Sequence, residues 1–169
     1  MNCHLIRIHS TTLASSISTT ETAVRQLVVF RLAGSTYGIE LDVVREIVPF
    51  RGATRLPGAP SNVAGLMNVR GSIITVIDLG AQLEGTPSAR DRASVMLVEH
   101  GGKVVGAAVD EVLDVRRSAD VELDDAAGST DITVEAAVRA VGRLSEGEGR
   151  DGGVITLLDI HGIISRVLA

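Results

Sequence analysis

The sequence predicts a mainly β protein in which two similar small barrels pack side by side, accompanied by short helices. Two observations lead there. Short runs rich in β-branched residues recur between Gly, Pro and Asn turns along the chain. One such run occurs twice: Ile74-Thr75-Val76-Ile77-Asp78-Leu79 returns 81 positions later as Ile155-Thr156-Leu157-Leu158-Asp159-Ile160, an offset of about half of the 169 residues. Closure into barrels manages exposed strand edges, and a shared seam enlarges cores that are marginal alone.

Residues Ser10 to Thr22 hold nine Ser or Thr among thirteen positions. That is too little apolar surface to offset ordering entropy, so residues 1–25 read as a flexible leader and 26–169 as the folded part. Leu27 to Leu32 is a strand that stops at Gly34. Tyr37, Ile39 and Leu41 then alternate with Gly38 and Glu40, completing a hairpin with one buried face. Leu41 to Val48 fits either a helical turn begun by Asp42 or a bent strand; the strand is the preferred reading, and Pro49 limits it. Pro57 and Pro60 mark an extended loop before the apolar stretch Val63 to Met67.

Asn68-Val69-Arg70-Gly71 makes a tight reversal into Ser72 to Ile77 and displays Arg70 at it. Gly101-Gly102, able to take positive φ, joins Val95 to Val98 with Lys103 to Val109 as a two-residue hairpin. Ala136 to Leu144 pairs with Gly153 to Leu158 across a polar loop, and Ile160 to Leu168 forms a short terminal helix. In both copies of the repeat an Asp stands where a buried strand gives way to apolar residues. Asp78 and Asp159 are therefore expected to be structural, accepting backbone hydrogen bonds at strand-to-helix junctions.

Composition excludes several functions. Lys and Arg total 16 against 21 Asp and Glu, a net charge of −5, whereas a sequence-blind nucleic-acid binder needs a basic field to displace counterions. Phe30, Tyr37 and Phe50 are the only Phe, Tyr or Trp residues, leaving little with which to build a stacking groove for bases or sugars. The single Cys3 permits no intramolecular disulfide and fits a reducing, cytoplasmic compartment. No apolar run approaches the ~20 residues of a bilayer span, so no direct membrane insertion is expected.

The motifs that carry chemistry fail on context. Gly147, Gly149 and Gly152 satisfy G-x-G-x-x-G but precede a strand instead of following one. Asp120, Glu122 and Asp124 mimic the start of a calcium loop, yet Asp125 replaces the turn Gly and Asp131 the closing Glu, so a solvated acidic connector is read there. His4, His9, His100 and His161 lack metal-ligand spacing. Neither a G-x-S-x-G turn nor a Walker loop is present. No catalytic, cofactor-binding or metal-ligating residue is assigned.

The segment Tyr37-Gly38-Ile39 with Val44-Arg45-Glu46-Ile47, then Pro57 to Pro60, Gly65, Asn68-Val69-Arg70-Gly71 and Ile77-Asp78-Leu79, closely resembles CheW-type chemotaxis coupling proteins. The likeness continues through Val104-Val105-Gly106, Val109-Asp110, Val141-Gly142-Arg143-Leu144 and Leu157-Leu158-Asp159-Ile160, covering Gln26 to Ala169. Val69 and Thr75 stand where a Leu and a Pro are common in the family. The resemblance implies two SH3-like five-stranded β-barrel subdomains around a hydrophobic seam, and no catalytic centre.

It also implies an adaptor that links the cytoplasmic hairpin tip of a methyl-accepting chemoreceptor to the regulatory domain of the histidine kinase CheA, with other CheW-like domains as further partners in rings. Val44, Glu46 and Arg70 are its candidate partner-binding residues. Glu46 and Arg70 are expected to pair across neighbouring strands and so hold the Arg in a fixed pose. Two other readings are a coupler for a non-flagellar pathway that controls pili or development, and a small-molecule-binding double β-barrel, which the scarcity of aromatics disfavours.

Overall fold

Two-residue turns set the strand registers. Ala33-Gly34, Arg70-Gly71 and Gly101-Gly102 have positive φ at both positions (47° and 88°, 50° and 86°, 57° and 75°), the hand that matches the twist of paired strands. They join β1 (Gln26–Leu32) to β2 (Ser35–Glu40), β4 (Val63–Val69) to β5 (Ser72–Asp78), and β6 (Ser94–His100) to β7 (Lys103–Val109). The computed structural model describes residues 25–124, 137–144 and 153–169. It adds β3 (Val44–Pro49), β8 (Glu111–Arg117), β9 (Val121–Asp124), β10 (Val138–Leu144) and β11 (Val154–Leu158), with helices α1 (Leu79–Leu83) and α2 (Ile160–Val167). Leader residues 1–24, Asp125, Asp131 and the glycines of the 147–152 motif lie outside the described residues.

The strands form two sheets, ordered β8-β1-β2-β11-β10-β9 and β3-β6-β7-β5-β4. The first carries one strand more than the five expected. Apart from β9 the two orders match strand for strand, and each contains one parallel pair, β2 with β11 and β5 with β7, among antiparallel ones. Even β9 has a counterpart, because Thr54 forms a single bridge to Leu66 on the outer side of β4. The sheets are not successive halves of the sequence: β1, β2 and β8 to β11 build the first and flank β3 to β7, which build the second. This interleaving exposes a second internal echo, in which Gly38, Asp42 and Val44 recur as Gly106, Asp110 and Val112.

Two local expectations need correction. Leu41 to Val48 is neither one strand nor one helical turn: Leu41–Val43 is a 3-10 turn and β3 follows it, because the chain crosses here from the first sheet to the second. The acidic connector is in part a strand. Val121 is buried against Leu27, Val29 and Ile155, and β9 pairs with β10; the acidic residues around it masked the alternation of Val121, Glu122 and Leu123.

Three apolar clusters hold the fold. Leu27, Val29, Val121 and Ile155 fill the interior of the first sheet, and Met67, Ile74, Val76, Val95, Leu97 and Ala108 that of the second. The largest lies between them: Val28, Phe30 and Ile39 of the first sheet meet Met96, Val98 and Val105 of the second, with Leu79 of α1 and Ile160, Ile163 and Ile164 of α2 packed into the seam. Alternation along β1 explains this, since Val28 and Phe30 face the seam while Leu27 and Val29 face the barrel interior.

Gly38 and Gly106 occupy matching places beside the parallel pairs and give the first testable contrast. A methyl on Gly38 would meet the Cδ1 of Ile155 and the Cδ2 of Leu157, each at 3.0 Å; on Gly106 it would meet the Cγ1 of Val95 at 2.7 Å and the Cγ2 of Val76 at 3.1 Å. Ends of long side chains can give way, whereas β-branched ones are fixed at χ1. Gly106→Ala is expected to cost about 2–3 kcal/mol and Gly38→Ala about 1. Urea midpoints of the two variants check the order.

Candidate interaction site

Arg70 is the first residue of the β4–β5 turn and Glu46 lies in β3. The Arg70 Nη1 donates to Glu46 Oε2 at 2.8 Å and its Nη2 donates to Oε1, a two-pronged pair with the guanidinium side chain 75% exposed. The hydrogen bond to Glu46, then its charge, raise the Arg70 pKa above the usual guanidinium value, so the cation is permanent. The expected pairing therefore forms, but not across neighbouring strands. β3 and β4 are the two ends of the second sheet's order, and the ion pair spans them where the sheet curls round.

The backbone at Arg70 is as informative as its side chain. A φ of 50° suits Gly or Asn and is uncommon for other residues. The turn is locked by Asn68, whose Oδ1 accepts from the Gly71 N–H at 2.8 Å, a role legible in the Asn-x-Arg-Gly spacing. Beside the pair, Val48, Pro49, Arg51, Met67, Asn68, Val69 and Arg70 line an open depression of about 360 Å³. Its lining combines apolar side chains with the two cations Arg51 and Arg70. Val44, the third candidate, is half-buried and packs against the seam cluster, but a bulge between the two residues sets Val44 opposite Val98 and Glu46 opposite Leu97, on the other face of the sheet.

Asp78 and Asp159 both cap helices. Asp78 Oδ1 accepts from the Ala81 N–H at 3.1 Å and Asp159 Oδ1 from the Gly162 N–H at 3.1 Å. Only Asp78 is buried, and it also accepts from the N–H and hydroxyl of Ser88 at 3.0 and 2.8 Å.

A second polar contact crosses the molecule. The Tyr37 hydroxyl of β2 donates to the carboxylate of Glu84, which follows α1. Burial, then that bond and the nearby negative charge, push the phenol pKa well above its ordinary range. The folded state thus holds the phenolic proton more tightly than the unfolded chain, and stability present below about pH 10 is lost as pH rises beyond it. Tyr37 is the only tyrosine and the chain has no Trp, so phenolate absorbance reports it alone. Tyr37→Phe is expected to remove its share of the alkaline loss, measured as urea midpoints between about pH 9 and 11.

No group of three or more His, Cys, Asp or Glu suited to a metal occurs among the described residues, and no described helix is long and apolar enough to cross a membrane. Ser165, His100 and His161 follow the order nucleophile, base, orienting group, with contacts of 3.2 and 3.1 Å. Ser165, however, projects from the last turn of α2, an end rich in carbonyl acceptors where an oxyanion requires N–H donors.

Comparison with known proteins agrees with the fold. A family model described as CheW-like domain matches residues 26–168. A probable chemotaxis protein CheW from Rhizobium etli is 35% identical over 92 residues, 54% of this chain and 59% of the relative. Protein PilI from Pseudomonas aeruginosa is 35% identical over 85 residues, 49% of this chain and 47% of the relative. The chain spans about three fifths of the length of the curated relatives it matches most strongly. The crystal structure of scaffolding protein TtCheW from Thermoanaerobacter tengcongensis superposes with a TM-score of 0.65 at 28% identity, over 83% of this chain and 87% of that one.

Proposed function

The chain belongs to the CheW-like domain family, and on that premise we propose that it is a non-enzymatic adaptor that couples the cytoplasmic hairpin tip of a chemoreceptor to the regulatory domain of the histidine kinase CheA. It works in the cytoplasm at receptor arrays, and other CheW-like domains join it in rings. The family is one of scaffolds, and signalling through such a protein proceeds by altered contacts between partners.

The observation that carries this reading is the pose of Arg70. Its backbone sits where Gly or Asn is favoured, and its exposed side chain is clamped by Glu46 at the end of a barrel. A strained residue retained at the surface points to a role in recognition. The depression beside it supplies area for a partner, while Glu46 and Arg70 supply orientation. Individual contacts of this kind are weak, and an array compensates by multivalency.

Co-sedimentation tests the proposal: the protein should pellet with a receptor cytoplasmic fragment and, separately, bind the isolated kinase regulatory domain. Binding to neither would overturn it. The match to Protein PilI supports a second reading, in which the same adaptor serves a non-flagellar chemosensory pathway; deletion that abolishes surface motility while leaving swimming intact would select it.

A further inference from the structure

The His100–His161 contact includes none of Val44, Glu46 and Arg70 and is independent of the adaptor reading. His100 ends β6, and His161 is the second residue of α2, so the pair fastens the second sheet to the helix that fills the seam. Their Nδ1 atoms are 3.1 Å apart, their rings meet edge to edge with centroids 5.4 Å apart, and Ser165 Oγ, one turn along α2, is 3.2 Å from His100 Nε2. A contact of that length between two imidazole nitrogens requires one proton between them and has no room for two. With the pair neutral or singly charged, one Nδ1–H donates to the other ring. With both rings charged, two donors face each other.

We propose that His100 and His161 form a proton-operated latch that holds α2 to β6 and lets go when the second proton binds. The surrounding charges do not offset that proton. On β6, Glu99 alternates to the opposite face and pairs with Arg45 of β3 at 3.4 Å. On β7 the register partner of His100 is another cation, Lys103. On α2, Asp159 is engaged with the Gly162 N–H, Arg166 adds positive charge in the last turn, and His161 sits at the helix end that disfavours a cation. Among the described residues no carboxylate is hydrogen-bonded to either ring.

The released state can bind one proton more than the latched state, so release grows with acid. One extra proton limits the effect to about tenfold per pH unit.

Native-state hydrogen exchange of the full chain measures it. Protection of the Ile163 and Ile164 amides is expected to fall up to about tenfold between about pH 6.5 and 5.5, while the interior of β7 changes less. His161→Asn, whose amide replaces Nδ1 without titrating, should abolish the fall. An equal fall in the variant, or none in the wild type, would overturn the proposal. Should the variant not fold, imidazole ¹⁵N spectra of the wild type decide at about pH 5.5: one neutral and one charged ring supports the latch, and two charged rings with α2 still protected sinks it.

Discussion

Asp78→Ala is expected to destabilise the protein by about 3–4 kcal/mol, and Asp159→Ala by about 1. The two residues stand at the same point of the repeated segment and cap their helices through the same bond, so a motif-level argument would give them equal weight. Burial separates them. Asp159 is half-exposed, and water can replace its oxygen at the Gly162 N–H. Asp78 is buried with Ser88, which is buried too, and its carboxylate receives the N–H and the hydroxyl of Ser88 besides the Ala81 N–H.

Deleting that carboxylate strands the buried Ser88 N–H and uncaps α1 at the Ala81 N–H, at about 1–3 kcal/mol for each group left unsatisfied. Ser88→Ala added to Asp78→Ala should recover little of the loss, since the Ser88 hydroxyl keeps the Ala108 carbonyl, 3.3 Å away, as an acceptor. Urea denaturation of the two single variants and the double variant checks this, and equal costs for Asp78 and Asp159 would refute the burial argument.

How far the sequence reveals this molecule depends on the range of the interactions. Turn chemistry is local, so the Gly101-Gly102 and Arg70-Gly71 hairpins and the two Asp caps are legible from a few residues. The parallel pairs β2 with β11 and β5 with β7 leave no such mark, because their partners are joined by long stretches of chain. β8 escaped notice because Glu111, Asp114, Arg116 and Arg117 dilute its apolar pattern, as suits a strand at the end of a sheet. The repeat at one offset points to two similar units; the echo of Gly38, Asp42 and Val44 runs at another offset, and interleaved sheets account for both. At the proposed docking site, Arg70 is readable from its turn and its pairing with Glu46 is expected from the sequence, but the contact is made by the curl that brings opposite ends of a sheet together and not across neighbouring strands. Tyr37 with Glu84 and His100 with His161 are of the same long-range kind.

Arg70→Glu should weaken assembly with receptor and kinase fragments on the order of 100-fold while leaving the melting temperature nearly unchanged. The side chain is mostly exposed, so little of the fold depends on it. The charge reversal sets a second carboxylate beside Glu46 and turns a partner's complementary group away. A purely structural Arg70 would give the opposite pattern, a lowered melting temperature with binding retained in the remaining folded fraction.

Arg70→Gly sharpens the distinction. Glycine relieves the left-handed backbone at φ 50°, so this variant should melt no lower than the wild type, yet it lacks the guanidinium and should assemble as poorly as Arg70→Glu. Glu46→Gln isolates the clamp: it keeps one hydrogen bond to Arg70 but removes the charge, and its affinity should fall between wild type and Arg70→Gly. Full binding by Arg70→Gly would show that the turn, and not the side chain it displays, is what partners meet.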